Sequence, residues 1–392
     1  MKLSPDLQHQ FFKHAADEAI RCKAILEEKS KKIEGLRKYV KTESIPENDE
    51  WKDWRVAVID GSNSPATSER LGSRYAAYCA GYLIFKGVQQ VDEGYRSKSF
   101  HQDQTGSLNV AEKTLSMLRF NLEREMTLEC LEDKDVDLVL IDGSFFGFRA
   151  DAHLINDEIV TVEDFGRGKD ITSSVAEKTL RILKSGRTVG IIKRTRQNAL
   201  DGWLLRKYGH DDLCVDSNDK HILSTILPRG HWFAYEWLFQ RPEIFAYYSR
   251  LRDIHRYVTY RKKAKQSMDD VWDVTKRNVH RSIKKSLDYG AEIILQTARY
   301  YAKCSQGAPF EFEARANMDI KPVVSYFLDF HNPATGLPWP IDLVDFAASL
   351  PKGFTREFVE EVEALLIKDS DVQDKIGLQT YFSYLNPQKP ED

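Results

Sequence analysis

The sequence predicts an α/β protein whose central sheet is covered by helices on both faces, with a helical N-terminal arm and a mainly helical C-terminal part. Three short apolar runs end near residues 59, 141 and 192, and helical patterns separate them. The first two runs are both followed by Asp-Gly-Ser. Continuous apolar runs that alternate with helices are typical of strands buried on both faces.

Residues 4–40 form the predicted arm. Ser4, Pro5 and Asp6 are typical of a helix start, because they supply a cap, a proline in the first turn and an acid at the positive end of the helix. The apolar positions that follow are Leu7, Phe11, Ala15, Ile25, Leu26, Ile33, Leu36 and Val40. The polar residues 41–53 resemble a linker, so we expect an arm and linker over 1–50 and one main domain over 51–392.

The main domain begins with the first apolar run. Its predicted strands are 55–59, 136–141, 188–192, 232–237 and 244–248. Its predicted helices are 108–132, 173–185, most of the chain from 249 to 303, and a last helix from 355 to about 367. Residues 70–86 fit a helix or a strand equally well.

Composition narrows the class of protein. A chain of 392 residues that is 42% hydrophobic can bury a large core. It has no run of about 18 apolar residues, so we expect neither a membrane span nor a secretory signal. Its five cysteines are far apart, which favours free thiols in a reducing cytoplasm and argues against zinc.

Charge is unevenly distributed. Residues 250–285 carry twelve Lys and Arg against four Asp and Glu, in a chain whose net charge is −3. Such a stretch is typical of a track for a polyanion, because basic residues release counterions from phosphates. A solvated helix surface explains it equally well.

The repeated Asp-Gly-Ser segment is the strongest chemical signal. Asp60 and Asp142 each follow a buried strand, and glycine there permits a sharp turn. Ligands bind at the carboxyl ends of strands in open α/β sheets. Two carboxylates at one edge repel each other unless a cation lies between them, which predicts a divalent metal. The alternative is ordinary turn chemistry.

A third acidic residue lies on the helix before the second Asp-Gly-Ser. Glu123 should reach the same sheet edge, with Arg119 one turn earlier as its i, i+4 partner. The alternative for Glu123 is an exposed ion pair. Glu125, two positions later, should point to another face.

The order of these motifs resembles the NurA nuclease family. The segments that carry the resemblance are V-I-D-G-S ending at 62, R-x-x-x-E at 119–123, L-I-D-G-S ending at 144, G-I-I-K-R at 190–194, the 219–227 segment D-K-H-I-L-S-T-I-L, and the 336–345 segment G-L-P-W-P-I-D-L-V-D. The similarity extends over about residues 51–350. It implies an RNase H-like mixed sheet and a nuclease domain over 51–392.

The resemblance also implies an activity and partners. The family degrades DNA with divalent metal, usually Mn²⁺ (or Mg²⁺), and two ions per site are expected. It acts as a homodimer on a hexameric HerA-type ATPase, in DNA repair or antiviral defence. Asp60, Glu123 and Asp142 are then expected to be catalytic metal ligands, with Lys193 neutralising charge on the phosphate or forming only a surface salt bridge.

This sequence departs from the family pattern at the fourth metal ligand. Where relatives carry a histidine, this chain has Asp345, and Asp342 and His331 are the alternatives. The expected DNA-binding residues are Arg194, Arg196, Arg261, Lys262 and Lys263. Trp232, Tyr235 and Trp237 are either base-stacking residues or core. Two other classes remain open, an actin- or Hsp70-like ATPase and a non-catalytic dimeric platform for a DNA-translocating ring.

Overall fold

The computed structural model describes residues 3–103, 106–162, 164–209, 211–239, 245–262, 267–286, 296–369 and 375–386. The helices in these ranges are α1 Pro5–Arg37, α2 Leu108–Asp133, α3 Arg149–Ile155, α4 Gly168–Ser185, α5 Ala199–Tyr208, α6 Asp219–Ile226, α7 Phe245–Lys262, α8 Met268–Ser286, α9 Lys321–Asp329, α10 Trp339–Ala348, α11 Phe354–Asp369 and α12 Lys375–Phe382. The strands are β1 Glu43–Ser44, β2 Arg55–Asn63, β3 Ser68–Glu69, β4 Ser73–Lys86, β5 Gln89–Asp103, β6 Leu138–Asp142, β7 Ile159–Val162, β8 Phe165–Arg167, β9 Thr188–Ile192, β10 His231–Ala234, β11 Thr297–Lys303 and β12 Phe310–Arg315.

One large mixed sheet organises the main domain. Strands β2, β4 and β5 form an antiparallel meander, and α2 then leads to β6, which lies parallel to β2. Helix α4 leads to β9, parallel to β6. The resulting order β5-β4-β2-β6-β9 is that of an RNase H-like sheet. Strands β12, β11, β10 and β1 extend it beyond β9, each antiparallel to its neighbour.

Side chains alternate between the two faces of this sheet. On β2, Ala57 and Ile59 join the core under α2 and α4, whereas Val56 and Val58 join the core under α9 and α10. By the same alternation, Asp60 lies on the α10 face. On β6 and β9, Leu138, Leu140, Val189 and Ile191 share that face, and the same alternation directs Asp142 and Lys193, the residue after β9, towards it. The sequence therefore directs three polar side chains of adjacent strands to one side of the sheet.

Several predicted elements are confirmed, and others are wrong. Helices α1, α2, α4 and α11 and strand β9 lie where they were expected, and the ambiguous residues 70–86 contain β4. The strand predicted over 244–248 is wrong where it is described, because residues 245–248 begin α7. The Tyr-rich sequence favours a strand, but Leu251 and Val258 are buried at a seven-residue helical spacing.

The late part of the chain is less helical than predicted. Strand β11 replaces the end of the expected helical region, and β12 follows it. The strand predicted over 232–237 stops at Ala234, where a 3₁₀ turn begins. Helix α12 follows the helix that was expected to be last. The missed signal is the alternation of Phe and Glu in β12, where Phe310 and Phe312 are buried on one face of the sheet.

Helix α1 packs on the main domain through its last turns. Ile33 and Leu36 are buried near α6, and Lys29 donates to the Asp216 carbonyl at 2.8 Å. The earlier apolar positions Leu7, Phe11, Ile20, Ile25 and Leu26 are exposed. The division at residue 50 stays a prediction. None of the helices in the described ranges has the length and apolar character that crossing a bilayer requires.

Candidate metal centre

Three aspartates meet at the edge of the sheet. One carboxylate oxygen from each of Asp60, Asp142 and Asp345 lies within 4.8 Å of the other two. Asp60 and Asp142 come from the adjacent parallel strands β2 and β6, and Asp345 comes from α10, which packs on the same face. Carboxylate oxygens at this spacing form the hard donor set that divalent cations prefer.

Asp60 does not lie at a strand end, as was expected, but within β2. It is paired with Gly81 of β4, and the strand continues to Asn63. The expected sharp turn at Gly61 is therefore wrong, because β4 is long enough to pair with β2 through all of the Asp-Gly-Ser segment. The Asp60 side chain accepts from the Gly61 N–H at 2.7 Å, which holds the carboxylate against its own strand.

Asp142 is the last residue of β6, and there the expected turn is present. Gly143 has a φ of 103°, a backbone conformation that other residues rarely adopt, and its N–H donates to the Ile191 carbonyl at 2.7 Å. The turn also needs Gly190 on β9, where a Cβ would lie 2.7 Å from the Gly143 carbonyl oxygen. Two glycines thus let β6 end close beside β9.

Glu123 approaches β2 from the opposite face of the sheet. It is fully buried on α2, and a Cβ at Gly61 would lie 2.6 Å from its Oε1. The absent side chain of Gly61 is what lets Glu123 approach β2. Arg119 donates to Glu123 and also to the Gly61 carbonyl at 3.3 Å, which confirms the expected i, i+4 pair. Arg124 lies 3.9 Å from the other carboxylate oxygen.

Glu123 is adjacent to the three aspartates without belonging to the group whose oxygens all lie within 4.8 Å. Its Oε2 is buried and has no hydrogen-bond partner among the described residues. A buried carboxylate oxygen without a donor is costly, and a cation would satisfy it. The ligand role of Glu123 stays a prediction. Glu125 lies on another face, as expected, and pairs with Lys178 at 2.8 Å.

Lys193 provides the cation at the aspartate cluster in this structure. Its Nζ lies 2.7 Å from Asp142 and 2.9 Å from Asp345. Burial disfavours its charged form, but the two carboxylates outweigh burial and raise the pKa of Lys193. The side chain is therefore part of the acidic site and not a separate surface salt bridge.

The carboxylates carry more negative charge than their surroundings stabilise. Burial, the charge of Asp142 and then that of Glu123 raise the pKa of Asp60 to about 8. Burial also raises the pKa of Asp142, although Lys193 opposes it. Burial raises the pKa of Glu123 against the opposing charges of Arg119 and Arg124. Repulsion of this kind is what a bound divalent cation relieves, so these residues fit such an ion.

The candidates for the fourth ligand occupy different places. Asp345 points into the cluster, as predicted, and its role as a ligand stays a prediction. Asp342 instead accepts from Asn332 at 2.7 Å and from Thr335 at 2.6 Å, so it orders the loop before α10. The Nδ1–H of His331 donates to the Leu328 carbonyl at 2.6 Å, in the turn that ends α9.

The 219–227 segment supports the loop that carries Lys193. Lys220 donates to the Lys193 carbonyl at 2.9 Å. Buried Asp219 accepts from the N–H groups of Ala199 and Leu200, at the start of α5, and from the Tyr235 hydroxyl at 2.6 Å. This segment of the family pattern therefore positions the site from outside it.

The predicted DNA-binding residues are only partly described. Arg194 and Arg196 are exposed just beyond Lys193, and no carboxylate pairs with either in the described ranges. Lys263 lies outside the described residues, as do the side chains of Arg261 and Lys262. The basic stretch that contains them is not uniformly a surface track, because Arg252 is buried and pairs with Asp201 and Asp216.

The exposed aromatic residue next to Asp345 is not one of those predicted. Trp232 and Tyr235 are 6% and 2% exposed, so their interpretation as base-stacking residues is wrong and they belong to the core with Trp237. Phe346, which was not among the predicted site residues, follows Asp345 and is 86% exposed. Its position beside an acidic residue of a late helix was the available signal.

The five-stranded core and the acidic cluster at its edge define an RNase H-like nuclease. The chain belongs to the NurA family, whose domain model matches residues 55–345. This membership rejects the ATPase alternative. No curated protein sequence matches the chain.

Solved structures resemble the chain over nearly its whole length. The crystal structure of the NurA nuclease from Sulfolobus solfataricus has a TM-score of 0.58 at 14% identity, covering 95% of this chain and all of that one. A NurA structure with manganese has a TM-score of 0.46 at 12% identity and covers 91% of this chain and 99% of its own. A NurA structure bound to dAMP and manganese has a TM-score of 0.43 at 12% identity and covers 95% and 99%. The first of these supports the fold.

Proposed function

We propose that this protein is a divalent-metal-dependent deoxyribonuclease that hydrolyses phosphodiester bonds at the Asp60, Asp142 and Asp345 cluster. The observation that carries it is the meeting of these carboxylates within 4.8 Å at the edge of an RNase H-like sheet. Membership of the NurA family makes Mn²⁺ and DNA the expected cofactor and substrate. Mg²⁺ is the alternative ion, and two ions per site are part of the proposal.

The carboxylates have the binding role in this reaction. Asp60, Asp142 and Asp345 would hold the ions, and Glu123 would supply an oxygen from the α2 face. When bound, divalent ions make a water molecule more acidic and stabilise the leaving oxygen. The chain itself fixes where these ions lie, because strand pairing positions Asp60 and Asp142 before any ligand arrives.

Lys193 changes partner in this proposal. Its Nζ now bridges Asp142 and Asp345. With divalent ions on these carboxylates, the ammonium group would no longer be needed as their counterion. Lys193 is then placed to neutralise charge that develops on the phosphoryl oxygens.

Exposed residues around the cluster are suited to hold the DNA strand. Arg194 and Arg196 follow Lys193 and have no carboxylate partners in the described part of the chain. Arginine binds phosphate oxygens through two parallel N–H donors. Phe346 offers an exposed ring on which an unpaired base can stack.

End-labelled DNA tests the proposed activity. Single- and double-stranded substrates are incubated with the purified protein in Mn²⁺, Mg²⁺ or EDTA. We expect cleavage with divalent metal and none in EDTA. Asp60→Ala and Asp142→Ala should each lower the rate at least about 10³-fold, because several kcal/mol of charge stabilisation is lost.

Asp133→Asn is the matched control, since Asp133 is an exposed acid at the end of α2. It should cleave at the wild-type rate. Wild-type activity in Asp60→Ala or Asp142→Ala, with the fold retained by circular dichroism, contradicts the proposal. A non-catalytic platform would show no metal-dependent cleavage in any variant.

The assembly is a second part of the proposal. We expect a homodimer that uses α1 and docks on a hexameric HerA-type ATPase, to process DNA ends in the cytoplasm during repair or antiviral defence. The support is the family resemblance and the exposed apolar positions of α1, among them Phe11 at 56% and Leu26 at 55%. A 33-residue helix is about 50 Å long, more than one sheet can cover.

Sedimentation at micromolar concentration tests the dimer. We expect a species of twice the chain mass, and Phe11→Asp with Leu26→Asp should convert it to the 45.3 kDa monomer. Lys13→Glu, on the same helix, is the matched control and should stay dimeric. A wild-type protein that sediments only as the monomer rejects the dimer.

A further inference from the structure

A cavity of about 940 Å³ is lined by residues that follow the strands leading to Asp142 and Lys193, and it takes no part in the proposed metal binding. Helices α3, α7 and α8 form its walls, together with the residues that follow β6 and β9. Phe146 and Gly147 extend from the second Asp-Gly-Ser segment, and Arg196 and Gln197 extend from Lys193. Each of the two strand ends that supply the site therefore continues into this cavity.

The lining of the cavity is strongly basic. Arg149, Arg196, Arg250 and Arg299 face it, and Asp253 is the acidic residue in its described lining. Arg299 is neutralised, since it pairs with the buried Glu311 and lies 2.8 Å from Glu313. The Arg250–Asp253 pair is long, at 3.9 Å. Within the described residues, Arg149 and Arg196 have no carboxylate partner.

Arg149 is the least satisfied of these cations. Its Nε is buried and has no hydrogen-bond partner among the described residues, and its Nη2 makes a long hydrogen bond of 3.4 Å to the Ser282 hydroxyl. Burial, then the charges of Arg250 and Arg299, lower the pKa of Arg149. A half-buried guanidinium that neighbouring cations repel is stabilised by an anion.

The cavity and the proposed metal centre share the loop that follows β6. Arg299 lies 3.3 Å from the Ser144 hydroxyl, and that hydroxyl donates to Glu313 at 2.8 Å. Ser144 is two residues after Asp142. A group bound to the arginines is therefore held against the same loop that places a proposed metal ligand.

We propose that this arginine-lined cavity, formed around Arg149, Arg196 and Arg250, binds a phosphate group of the DNA strand on which the nuclease acts. The assignment rests on the proposed nuclease function, because it takes DNA as the source of the phosphate. The volume is within the range of about 300–1,000 Å³ typical of small-ligand sites, so it accepts a nucleotide or one strand and excludes a duplex. Guanidinium groups suit phosphate because they donate two parallel hydrogen bonds.

Binding without cleavage tests this site. A fluorescein-labelled single strand of six nucleotides, with either a 5′-phosphate or a 5′-hydroxyl, is titrated with the protein in EDTA and followed by anisotropy. Arg149→Gln should weaken binding about tenfold, the equivalent of about 1.4 kcal/mol. Arg196→Gln, at an exposed position, should weaken it less. Each substitution should also reduce the number of counterions released on binding by about one, as measured from the slope of log affinity against log salt concentration.

The matched control is Arg181→Gln. Arg181 is an exposed arginine of α4 that pairs with Glu132 and lies outside the cavity. It should bind as the wild type does. Thermal unfolding of each variant reports its fold, and Arg149→Lys, which keeps the charge, should recover only part of the affinity because it loses the paired donors.

The source of the phosphate follows from the two strands. If Arg149→Gln loses affinity only for the 5′-phosphorylated strand, the cavity binds the phosphate of a DNA end. If it loses affinity equally for both strands, the cavity binds an internal phosphodiester. Competition by a mononucleotide assigns it to the released product. If Arg149→Gln and Arg196→Gln both bind as Arg181→Gln does, the phosphate site is overturned. That result leaves the metal-dependent cleavage and its loss in Asp60→Ala unaffected.

Discussion

The first Asp-Gly-Ser segment, at residues 60–62, lies inside a strand, whereas the second, at residues 142–144, ends one. Gly61 keeps extended backbone and pairs with Ala80 of β4. Gly143 adopts a φ of 103° and turns the chain away from β6. Identical residues thus have two backbone conformations, because the neighbours of each strand differ.

The two glycines are needed for different reasons. Gly61 makes room, since a Cβ there would strike the side chain of Glu123 arriving from α2. A Cβ at Gly143 would meet no atom of the described residues within 4 Å, so the requirement there is the backbone angle alone. A short motif that occurs twice in one chain can therefore place two carboxylates at one edge of the sheet with two different backbone conformations.

Substitution of these two glycines should give the largest difference in cleavage rate between the two Asp-Gly-Ser segments. Gly61→Ala should destabilise the protein by about 1–3 kcal/mol through overpacking and should also displace Glu123, which lowers cleavage sharply. Gly143→Ala should cost a similar 1–3 kcal/mol through backbone strain, with a smaller effect on cleavage. Thermal unfolding and initial cleavage rates measure both.

Gly35→Ala is the control for the glycine pair, because a Cβ on that residue of α1 meets no atom of the described residues within 4 Å. It should leave cleavage unchanged. If Gly61→Ala cleaves as fast as Gly143→Ala, the close approach of Glu123 to β2 is not what the site requires.

Substitution of the two serines should give a smaller difference, in the free energy of unfolding. The Ser144 hydroxyl donates to buried Glu313 at 2.8 Å, so Ser144→Ala removes a bond to a charged group and should cost about 1.5–3 kcal/mol. The Ser62 hydroxyl accepts from the Leu350 N–H at 3.2 Å, and Ser62→Ala should cost about 0.5–1.5 kcal/mol. Chemical denaturation measures both, and the reverse order would mean that Glu313 does not depend on Ser144.

The sequence predicted the parts of the fold whose patterns are local. Apolar runs and helical spacing located β9, α2 and α4. The motif order indicated the family over about residues 51–350, and its domain model matches residues 55–345. Strand β5 was missed because its exposed, polar residues pair along one edge of β4 and show little apolar character. Its existence depends on the partner strand more than on its own sequence.

Site residues on strands could be predicted, because strand alternation decides the direction of their side chains. Contacts between elements that are distant in the sequence were harder to predict. Asp60 and Asp142 could be paired from two strands alone. The approach of Glu123 through the space at Gly61, and the pairing of Lys193 with both Asp142 and Asp345, depend on how α2 and α10 pack on opposite faces. No spacing in the sequence encodes those distances.

Calorimetric titration with Mn²⁺ in the absence of DNA tests most directly whether both Asp-Gly-Ser segments serve one metal centre. Asp60→Asn and Asp142→Asn should each weaken binding by more than about 100-fold, beyond the usual cost of changing an outer-shell partner. Asp345→Asn should weaken it about tenfold, and Asp133→Asn should bind as the wild type does. Wild-type Mn²⁺ affinity in both Asp60→Asn and Asp142→Asn would contradict a shared centre.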